Sequence, residues 1–345
     1  MDIRKSKVFI QSNHNRPSGG TKVTHQLARL FRGHGIEAHI FSPAGEVYEP
    51  DWMSSTAPVI SNERMRDMCS SLDIVIGNWP DFETSAFIRD CPAQVKIFYP
   101  QCNFFLRGKH MIGNDIFKTE WGYNGTWAVS ESNKNILDAR YGTNCTVVHP
   151  YFEHERFQPD AQNAARSGIL SLSRKGNRHV RFIAAAVGGH MTVLRGRFTE
   201  QEFIDAASRH SLFLHTALGY QPDWSKKIRA WGKYIMSLGA EDRITQVTYA
   251  GSKYDEGFPL PPAEAALVGC VVVGFAKNGD LEWMDDDNTF IARDRSYFDL
   301  YRQVRRALST PEPELHFMNA RARQRLQTFT GERTWAEITS FFDRV

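Results

Sequence analysis

Residues 256–274 read EGFPLPPAEAALVGCVVVG and hold a helix start, a helix stop and the beginning of a strand. Pro261 and Pro262 suit the first turn of a helix, where their missing N–H groups would be unpaired in any case. Gly269 suits the end of that helix, and the apolar run that follows is typical of a strand buried in a parallel sheet. The segment therefore predicts one helix-to-strand unit of an α/β protein.

The same alternation of short β-rich runs and amphipathic stretches extends outward over almost the whole chain, which favours an α/β class with parallel sheets. The predicted strands are Lys7–Gln11, Ala38–Phe41, Ile74–Gly77, Val95–Tyr99, Trp127–Ser130, Thr146–His149, Ile169–Ser173, Met191–Leu194, Leu212–His215 and Val271–Phe275. The clearest predicted helices are one that carries Val23, Leu27, Leu30 and Phe31 and ends at Gly33 and Gly35, then Val180–Val187, Thr199–Ser208, one from about Pro261, and Phe298–Leu308.

The chain has 345 residues, which favours about two domains. Apolar periodicity fades over residues 152–167, where polar residues and Pro159 are typical of a connection. We therefore expect a first doubly wound domain over residues 1–160 and a second over 161–330. A ligand is expected in the cleft between them, since doubly wound sheets bind at the carboxyl ends of their strands.

The start of the helix near Pro261 is a candidate nucleotide site. A helix N-terminus favours a phosphate group, and Glu264 lies within a turn of it, where a carboxylate can accept hydrogen bonds from ribose hydroxyls. A second acid, Glu256, stands eight positions earlier. Since 39 of the 345 residues are acidic, this spacing alone does not identify a site.

The whole segment, with Gly257, Phe258 and Leu260, resembles the E-x7-E signature of retaining GT-B glycosyltransferases, as in glycosyltransferase family 4. Further matching pieces follow the family's order along nearly all of the chain: Ser18–Gly20, Val147–Pro150, Phe157–Pro159, Ser173–Gly176 and the segment from Trp335. The resemblance implies two Rossmann-like domains facing across a cleft, with a terminal helix over residues 331–345 that crosses back to the first domain.

The resemblance also implies an activity: transfer of a sugar, with retention, from a nucleoside-diphosphate sugar, expected to be a UDP-sugar, to an acceptor hydroxyl. It assigns catalytic roles to Glu256 at the donor sugar and to Arg174 and Lys175 at the diphosphate, and it places Glu264 at the ribose. The implied donor-binding set is Gly19, Gly20, Arg174, Lys175, Glu256, Gly257, Phe258, Leu260 and Glu264. An Arg, a Lys and a helix N-terminus can stabilise the leaving diphosphate without a metal, so neither a metal nor a cofactor is expected.

Two departures from the family pattern stand out. Pro259 replaces the usual Gly and removes a backbone N–H that could contact the donor. Residues 218–252 are an insertion with the apolar spacing of one helix. The favoured interpretation is a helix that packs on the second domain with a solvated basic face, and the alternative is a contact with an acceptor or a partner.

Gln101, Asn103 and His110 are the candidates for the acceptor side, because they follow the carboxyl end of the strand at Val95. A glycan, a lipid-linked molecule or a small molecule is the expected acceptor. His110 has an alternative interpretation as an ordinary surface histidine. The sequence does not reveal the nucleotide base, the sugar or the oligomeric state.

Composition excludes several classes of protein. The net charge of +3 gives little support to a nucleic acid partner, and no apolar run reaches the roughly 18 residues of a membrane span, which leaves at most peripheral membrane contact. Five scattered cysteines without a Cys-x-x-Cys indicate reduced thiols. The start of the chain lacks a signal-peptide pattern, so residence in the cytoplasm is expected.

Two alternative functions stay open at this point. A catalytically silent GT-B scaffold or binding subunit would lose the phosphate and ribose ligands, yet Arg174, Lys175, Glu256 and Glu264 are all present. A glycosyltransferase acting on a DNA nucleobase would use the basic insertion to follow the duplex.

Overall fold

In the computed structural model, the first half of the chain forms a parallel sheet. The structure describes residues 3–12, 17–42, 47–54, 56–78, 82–102, 121–158, 166–173, 177–216, 257–276 and 278–344, with only the backbone of 82–85, 140 and 278. The strands are β1 Val8–Gln11, β2 Ala38–Phe41, β3 Val59–Ile60, β4 Ile74–Gly77, β5 Val95–Phe98, β6 Gly125–Ala128 and β7 Thr146–Val147, in the order β3-β2-β1-β4-β5-β6-β7. This order reverses between β1 and β4, as in a Rossmann-type sheet.

Helices α1 Gly19–Gly33, α2 Asn62–Met68, α3 Phe82–Asp90 and α4 Glu131–Tyr141 connect these strands. Ser18 begins α1 as its N-cap, because its side chain accepts a hydrogen bond from the N–H of Thr21 at 3.1 Å. Gly35 follows the helix with φ of +77°, a conformation that suits glycine. Gly19 and Gly20 form the first turn of α1 itself, whereas the resemblance to family 4 implies a glycine-rich loop between the first strand and the first helix.

The second half forms its own parallel sheet from β8 Ile169–Leu172, β9 Met191–Leu194, β10 Leu212–His215, β11 Val271–Gly274 and β12 Thr289–Ile291, in the order β12-β11-β10-β8-β9. Its helices are α5 Asn177–Val187, α6 Glu200–Arg209, α7 Leu260–Val268, α8 Tyr297–Ser309 and α9 Glu312–Leu326. The architecture is therefore two Rossmann-like α/β units, as the sequence predicts. The predicted boundary near residue 160 and the insertion 218–252 lie outside the described residues.

The last helix, α10 Gly331–Phe342, packs on the first sheet rather than on the second. Trp335 stacks on His34 with 3.9 Å between ring centroids, and Phe341 meets Trp127 edge-on at 5.5 Å. The helix thus ties the end of the chain to the domain in which the chain begins.

One cluster of buried apolar side chains runs continuously from the first sheet to the second. Phe258 lies within it, between Phe329 at 5.2 Å and Phe152 at 6.4 Å, measured between ring centroids. Apolar burial of this kind stabilises the arrangement of the two domains. Within the described part of the chain, no helix has the length and apolar composition needed to cross a membrane.

Candidate active site

The carboxyl ends of strands from both sheets face each other, which is where doubly wound folds bind ligands. The Ser130 hydroxyl, just after β6, donates a hydrogen bond of 2.8 Å to the carbonyl oxygen of Gly257, just before α7. Next to it, the N–H of Glu131 donates to Glu282 Oε1 at 2.8 Å. The floor of the cleft is therefore closed by direct contacts between the domains.

Two glycines allow this close approach. A Cβ atom on Gly279 would lie 2.3 Å from the carbonyl oxygen of Gly257, and a Cβ on Gly257 would lie 2.5 Å from Val129 Cγ2. Both distances are shorter than real Cβ contacts, so a side chain at either position would push the loops apart. Gly257, a predicted donor-binding residue, thus lies at the boundary between the two domains.

The two helices that begin at the cleft, α1 and α7, differ in what they offer an anion. The N–H groups of Gly19 and Gly20 in the first turn of α1 have no acceptor among the described residues. In α7 the corresponding positions include Pro259, Pro261 and Pro262, which leaves only Leu260 with an N–H. The stronger backbone site for a phosphate is therefore at α1. Leu260 contributes the single remaining donor of α7.

Gln101 belongs to a polar network at the carboxyl ends of β1, β4 and β5. Its Nε2 donates to Thr24 Oγ1 at 3.4 Å, and Asn78 Nδ2 donates to the same hydroxyl at 3.2 Å. The backbone N–H of Asn78 donates to Gln11 Oε1 at 3.0 Å. Gln101 also lies beside Gly20, because a Cβ on that glycine would be 2.5 Å from Gln101 Oε1.

Glu264 is buried and forms an ion pair across the domain boundary. Its Oε1 contacts the Nζ atom of Lys22 on α1, and the same Nζ contacts Oε1 of Glu200 on α6. Burial lowers the pKa of Lys22, but the two carboxylates outweigh burial and raise it. Burial raises the pKa of Glu264, and Lys22 offsets this only in part. Two carboxylates thus share one buried ammonium group.

The ion pairs continue from Glu200 into the connection between the domains. Arg156 contacts Glu200 Oε2 and donates to Glu153 Oε2 at 2.6 Å, and Glu153 also pairs with Arg29 of α1. Positive and negative groups therefore alternate from Glu264 to Arg29. This alternation gives each carboxylate a cation as partner.

A second charged contact joins the domains beside the terminal helix. His149 Nε2 lies 2.8 Å from Glu282 Oε2, and its Nδ1 lies 2.7 Å from Glu337 Oε1 of α10. Arg333 Nη2 lies 3.1 Å from the same Nδ1. Burial lowers the pKa of His149, but the hydrogen bonds to the two glutamates outweigh it, so the pKa is raised.

The structure brings six of the predicted site residues to the boundary between the domains: Gly19, Gly20, Gln101, Gly257, Leu260 and Glu264. It packs Phe258 in the apolar cluster with Phe152 and Phe329. The predicted residues Asn103, His110, Arg174, Lys175 and Glu256 lie outside the described residues. Sequence reasoning missed Lys22 and Glu200, and also the buried pair His215 and Asp280 at the carboxyl edge of the second sheet, joined by Nε2–Oδ2 at 3.2 Å. In the described ranges, no group of three His, Cys, Asp or Glu side chains is arranged to hold a metal ion.

No protein-family model matches the sequence, and no curated protein matches it. Solved structures do match over nearly the whole chain. Sucrose-phosphate synthase of Thermosynechococcus elongatus matches with a TM-score of 0.62 and 12% identity, over 99% of each chain. The Anabaena protein HepE, in complex with UDP and glucose, matches with a TM-score of 0.63 and 12% identity, over 99% of this chain and 100% of HepE. An alpha-glucosyltransferase in complex with UDP and a 13-mer DNA containing an HMU base matches with a TM-score of 0.62 and 11% identity, over 96% of this chain and 99% of the alpha-glucosyltransferase chain. The chain therefore has the GT-B fold of these structural neighbours.

Proposed function

We propose that this GT-B chain is a glycosyltransferase, which transfers a sugar from a nucleoside-diphosphate sugar to an acceptor hydroxyl. The observation that carries the proposal is the convergence at one cleft of two groups: the α1 amides of Gly19 and Gly20, which have no acceptor in the part of the chain that the structure describes, and the buried carboxylate of Glu264. Amides at a helix N-terminus suit a diphosphate, and a carboxylate suits ribose hydroxyls. Structural neighbours bound to UDP support a nucleoside diphosphate as the ligand class.

We assign the donor contacts as follows. The N–H groups of Gly19 and Gly20 face the diphosphate, and Glu264 accepts hydrogen bonds from the ribose. Arg174 and Lys175 neutralise the charge that develops as the diphosphate leaves, since charged donors at a leaving group lower the barrier. Glu256 binds hydroxyls of the donor sugar. These last three assignments rest on the resemblance to family 4 and its E-x7-E signature.

The finer features of the activity belong to the same proposal. A UDP-sugar is the expected donor, retention is the expected stereochemistry, and no metal or cofactor is needed, because Arg174, Lys175 and helix dipoles supply the positive charge. On the acceptor side we place Gln101, Asn103 and His110, facing a glycan, a lipid-linked molecule or a small molecule. The cytoplasmic location stays a prediction.

A thermal-shift series tests the donor site. The purified protein is heated with UDP, GDP, dTDP, CMP and their sugar conjugates, with and without EDTA, because a ligand that binds only the folded state raises the melting temperature. We expect one nucleoside diphosphate to raise it equally in both conditions. A shift abolished by EDTA would contradict metal independence, and no shift with any nucleotide would favour the silent scaffold.

Three substitutions then test the residue assignments. Glu264→Ala is expected to weaken nucleotide binding, Glu256→Ala to reduce turnover more than nucleotide affinity, and Lys175→Ala to reduce both. The loss of one charge-assisted hydrogen bond corresponds to a factor of about 10 to 100. Wild-type affinity and turnover in all three variants would refute the assigned site.

A second candidate is transfer to a base in DNA. It is favoured by one observation, the structural similarity to an alpha-glucosyltransferase in complex with UDP and DNA. Radiolabelled donor incubated with DNA containing hydroxymethylated bases would label the DNA if this candidate is right, and would leave it unlabelled if the acceptor is of another class.

A further inference from the structure

Lys22 belongs to the first domain but forms ion pairs with two carboxylates of the second domain. It projects from the first turn of α1, two positions after Gly20, and its Nζ atom contacts Glu200 and Glu264. The side chain is 7% exposed, and Nζ lies 4.7 Å from the centroid of the Phe157 ring. Among the described residues, the ammonium group is therefore held by Glu200, Glu264 and the ring of Phe157.

The contact with Lys22 uses only one oxygen of Glu264. Nζ contacts Oε1, and no described residue makes a hydrogen bond to Oε2. A carboxylate held at one oxygen has a defined orientation, and its second oxygen remains available as an acceptor. Lys22 thus orients Glu264 without occupying the whole group.

Lys22 is also the main group that favours the charged form of Glu264. Burial raises the pKa of Glu264, and so does the facing carboxylate of Glu200, whereas Lys22 and, more weakly, Arg156 lower it. Without Lys22, two buried carboxylates would face each other, and Arg156 contacts only Glu200 of the two. Glu264 would then be the group that takes up a proton, because an isolated buried charge is costly.

We infer that Lys22 is a positioning residue of the donor site, which keeps Glu264 ionised and presents its Oε2 to a ribose hydroxyl. The inference rests on the proposed role of Glu264 in nucleotide binding. Because Lys22 lies in the other domain, the ribose site of the second domain is complete only when the domains are packed as in this structure. The chemical class of the ligand is a nucleoside diphosphate.

The test is calorimetric titration of UDP into the full-length Lys22→Met variant and the wild type between pH 5.5 and 8.5. We expect the variant to bind UDP about 10 to 100 times more weakly than the wild type at the acid end, as for a lost charge-assisted hydrogen bond. The difference in UDP affinity between the variant and the wild type is expected to narrow as pH rises, because Glu264 of the variant then loses its proton. The comparison is made at each pH because the phosphate of UDP titrates in the same range. Lys22→Arg is expected to restore most of the affinity.

Arg29→Met is the matched control, because it removes one cation from the same chain of ion pairs, and that cation pairs with Glu153 rather than with Glu200 or Glu264. It is expected to leave the pH profile of UDP binding close to that of the wild type. If Lys22→Met does not fold, the double variant Lys22→Met/Glu200→Gln replaces it, since it removes one of the two carboxylates that repel each other.

The outcomes separate the inference from the proposed function. If the wild type binds UDP and the Lys22 variant binds it equally well, or more weakly by the same factor at every pH, the positioning role is refuted and the proposed function stands. If the wild type binds no UDP, the UDP donor site is refuted and the inference falls with it.

Discussion

Two contacts between the domains have the same plan but different cations. In the first, which we call the lysine joint, Lys22 lies between Glu200 and Glu264. In the second, the histidine joint, His149 lies between Glu282 and Glu337. In each, a cation from the first half of the chain connects two carboxylates from the second half. In the histidine joint only Glu282 belongs to the second domain, because Glu337 is on the terminal helix that packs on the first sheet.

The difference lies in what the cation does between pH 6 and 9. An ammonium group stays charged over this range, whereas an imidazole titrates within it or near it. The side chains of the lysine joint are less than 10% exposed, while Glu282 and Glu337 are about one-fifth exposed. The more deeply buried joint therefore carries the permanent charge, and the more hydrated joint carries the charge that pH can remove.

The largest expected effect is the loss of the lysine joint. Lys22→Met leaves two buried carboxylates without their shared cation, and removing one partner of a buried pair costs about 3–5 kcal/mol. The measurement is the free energy of unfolding from urea denaturation of the variant and the wild type. Arg302→Met is the control, because Arg302 pairs with Asp299 within one helix and is 67% exposed, so its loss is expected to cost less than about 1 kcal/mol. An equal decrease in the free energy of unfolding for the two variants would mean that burial does not strengthen the contribution of Lys22.

The histidine joint is expected to weaken as pH rises. The pKa of His149 is raised in the folded protein, so its contribution is complete below the ordinary pKa of histidine and is lost as pH rises through the folded value. We expect His149→Gln to cost about 1–3 kcal/mol at pH 6, as for hydrogen bonds to charged groups, and less at pH 9. Unfolding curves of the wild type and the variant at both pH values measure this.

The control for this pH dependence is His316→Gln. His316 is 70% exposed and lies 3.6 Å from Glu312, so this surface pair is expected to contribute nothing measurable at either pH. A cost of His149→Gln that does not change between pH 6 and 9 would show that the imidazole acts by packing rather than by charge.

The sequence predicts the long buried elements well. The strands Ile74–Gly77 and Leu212–His215 have the predicted ends, because strands buried on both faces are nearly continuous apolar runs. The edge strands Val59–Ile60 and Thr289–Ile291 were missed, since two or three residues carry no periodic signal. The strand predicted at Trp127–Ser130 ends at Ala128, because Ser130 caps the next helix.

The joints could not be predicted from the sequence. The partners of Lys22 lie 178 and 242 positions away along the chain, and those of His149 lie 133 and 188 positions away. Local patterns carry no information on contacts of that separation. Only the finished fold brings the two halves together, so the motif predicts Glu264 as a site residue and no local pattern points to Lys22.

The smallest expected effect on the free energy of unfolding comes from an uncharged contact between the domains, the hydrogen bond from Ser130 to Gly257. Ser130 Oγ donates to the carbonyl oxygen of Gly257 and also accepts from the N–H of Asn133 as the N-cap of α4. Ser296→Ala removes a cap alone, because Ser296 Oγ accepts from the N–H of Asp299 and makes no contact with the first domain among the described residues. Ser130→Ala is therefore expected to cost about 1 kcal/mol more than Ser296→Ala, the typical value of one neutral hydrogen bond. Urea denaturation should give the same difference in unfolding free energy between the two variants at pH 6 and at pH 9, since neither the hydroxyl nor the carbonyl titrates. A difference that grows toward either pH would mean that this contact depends on the lysine or histidine joint.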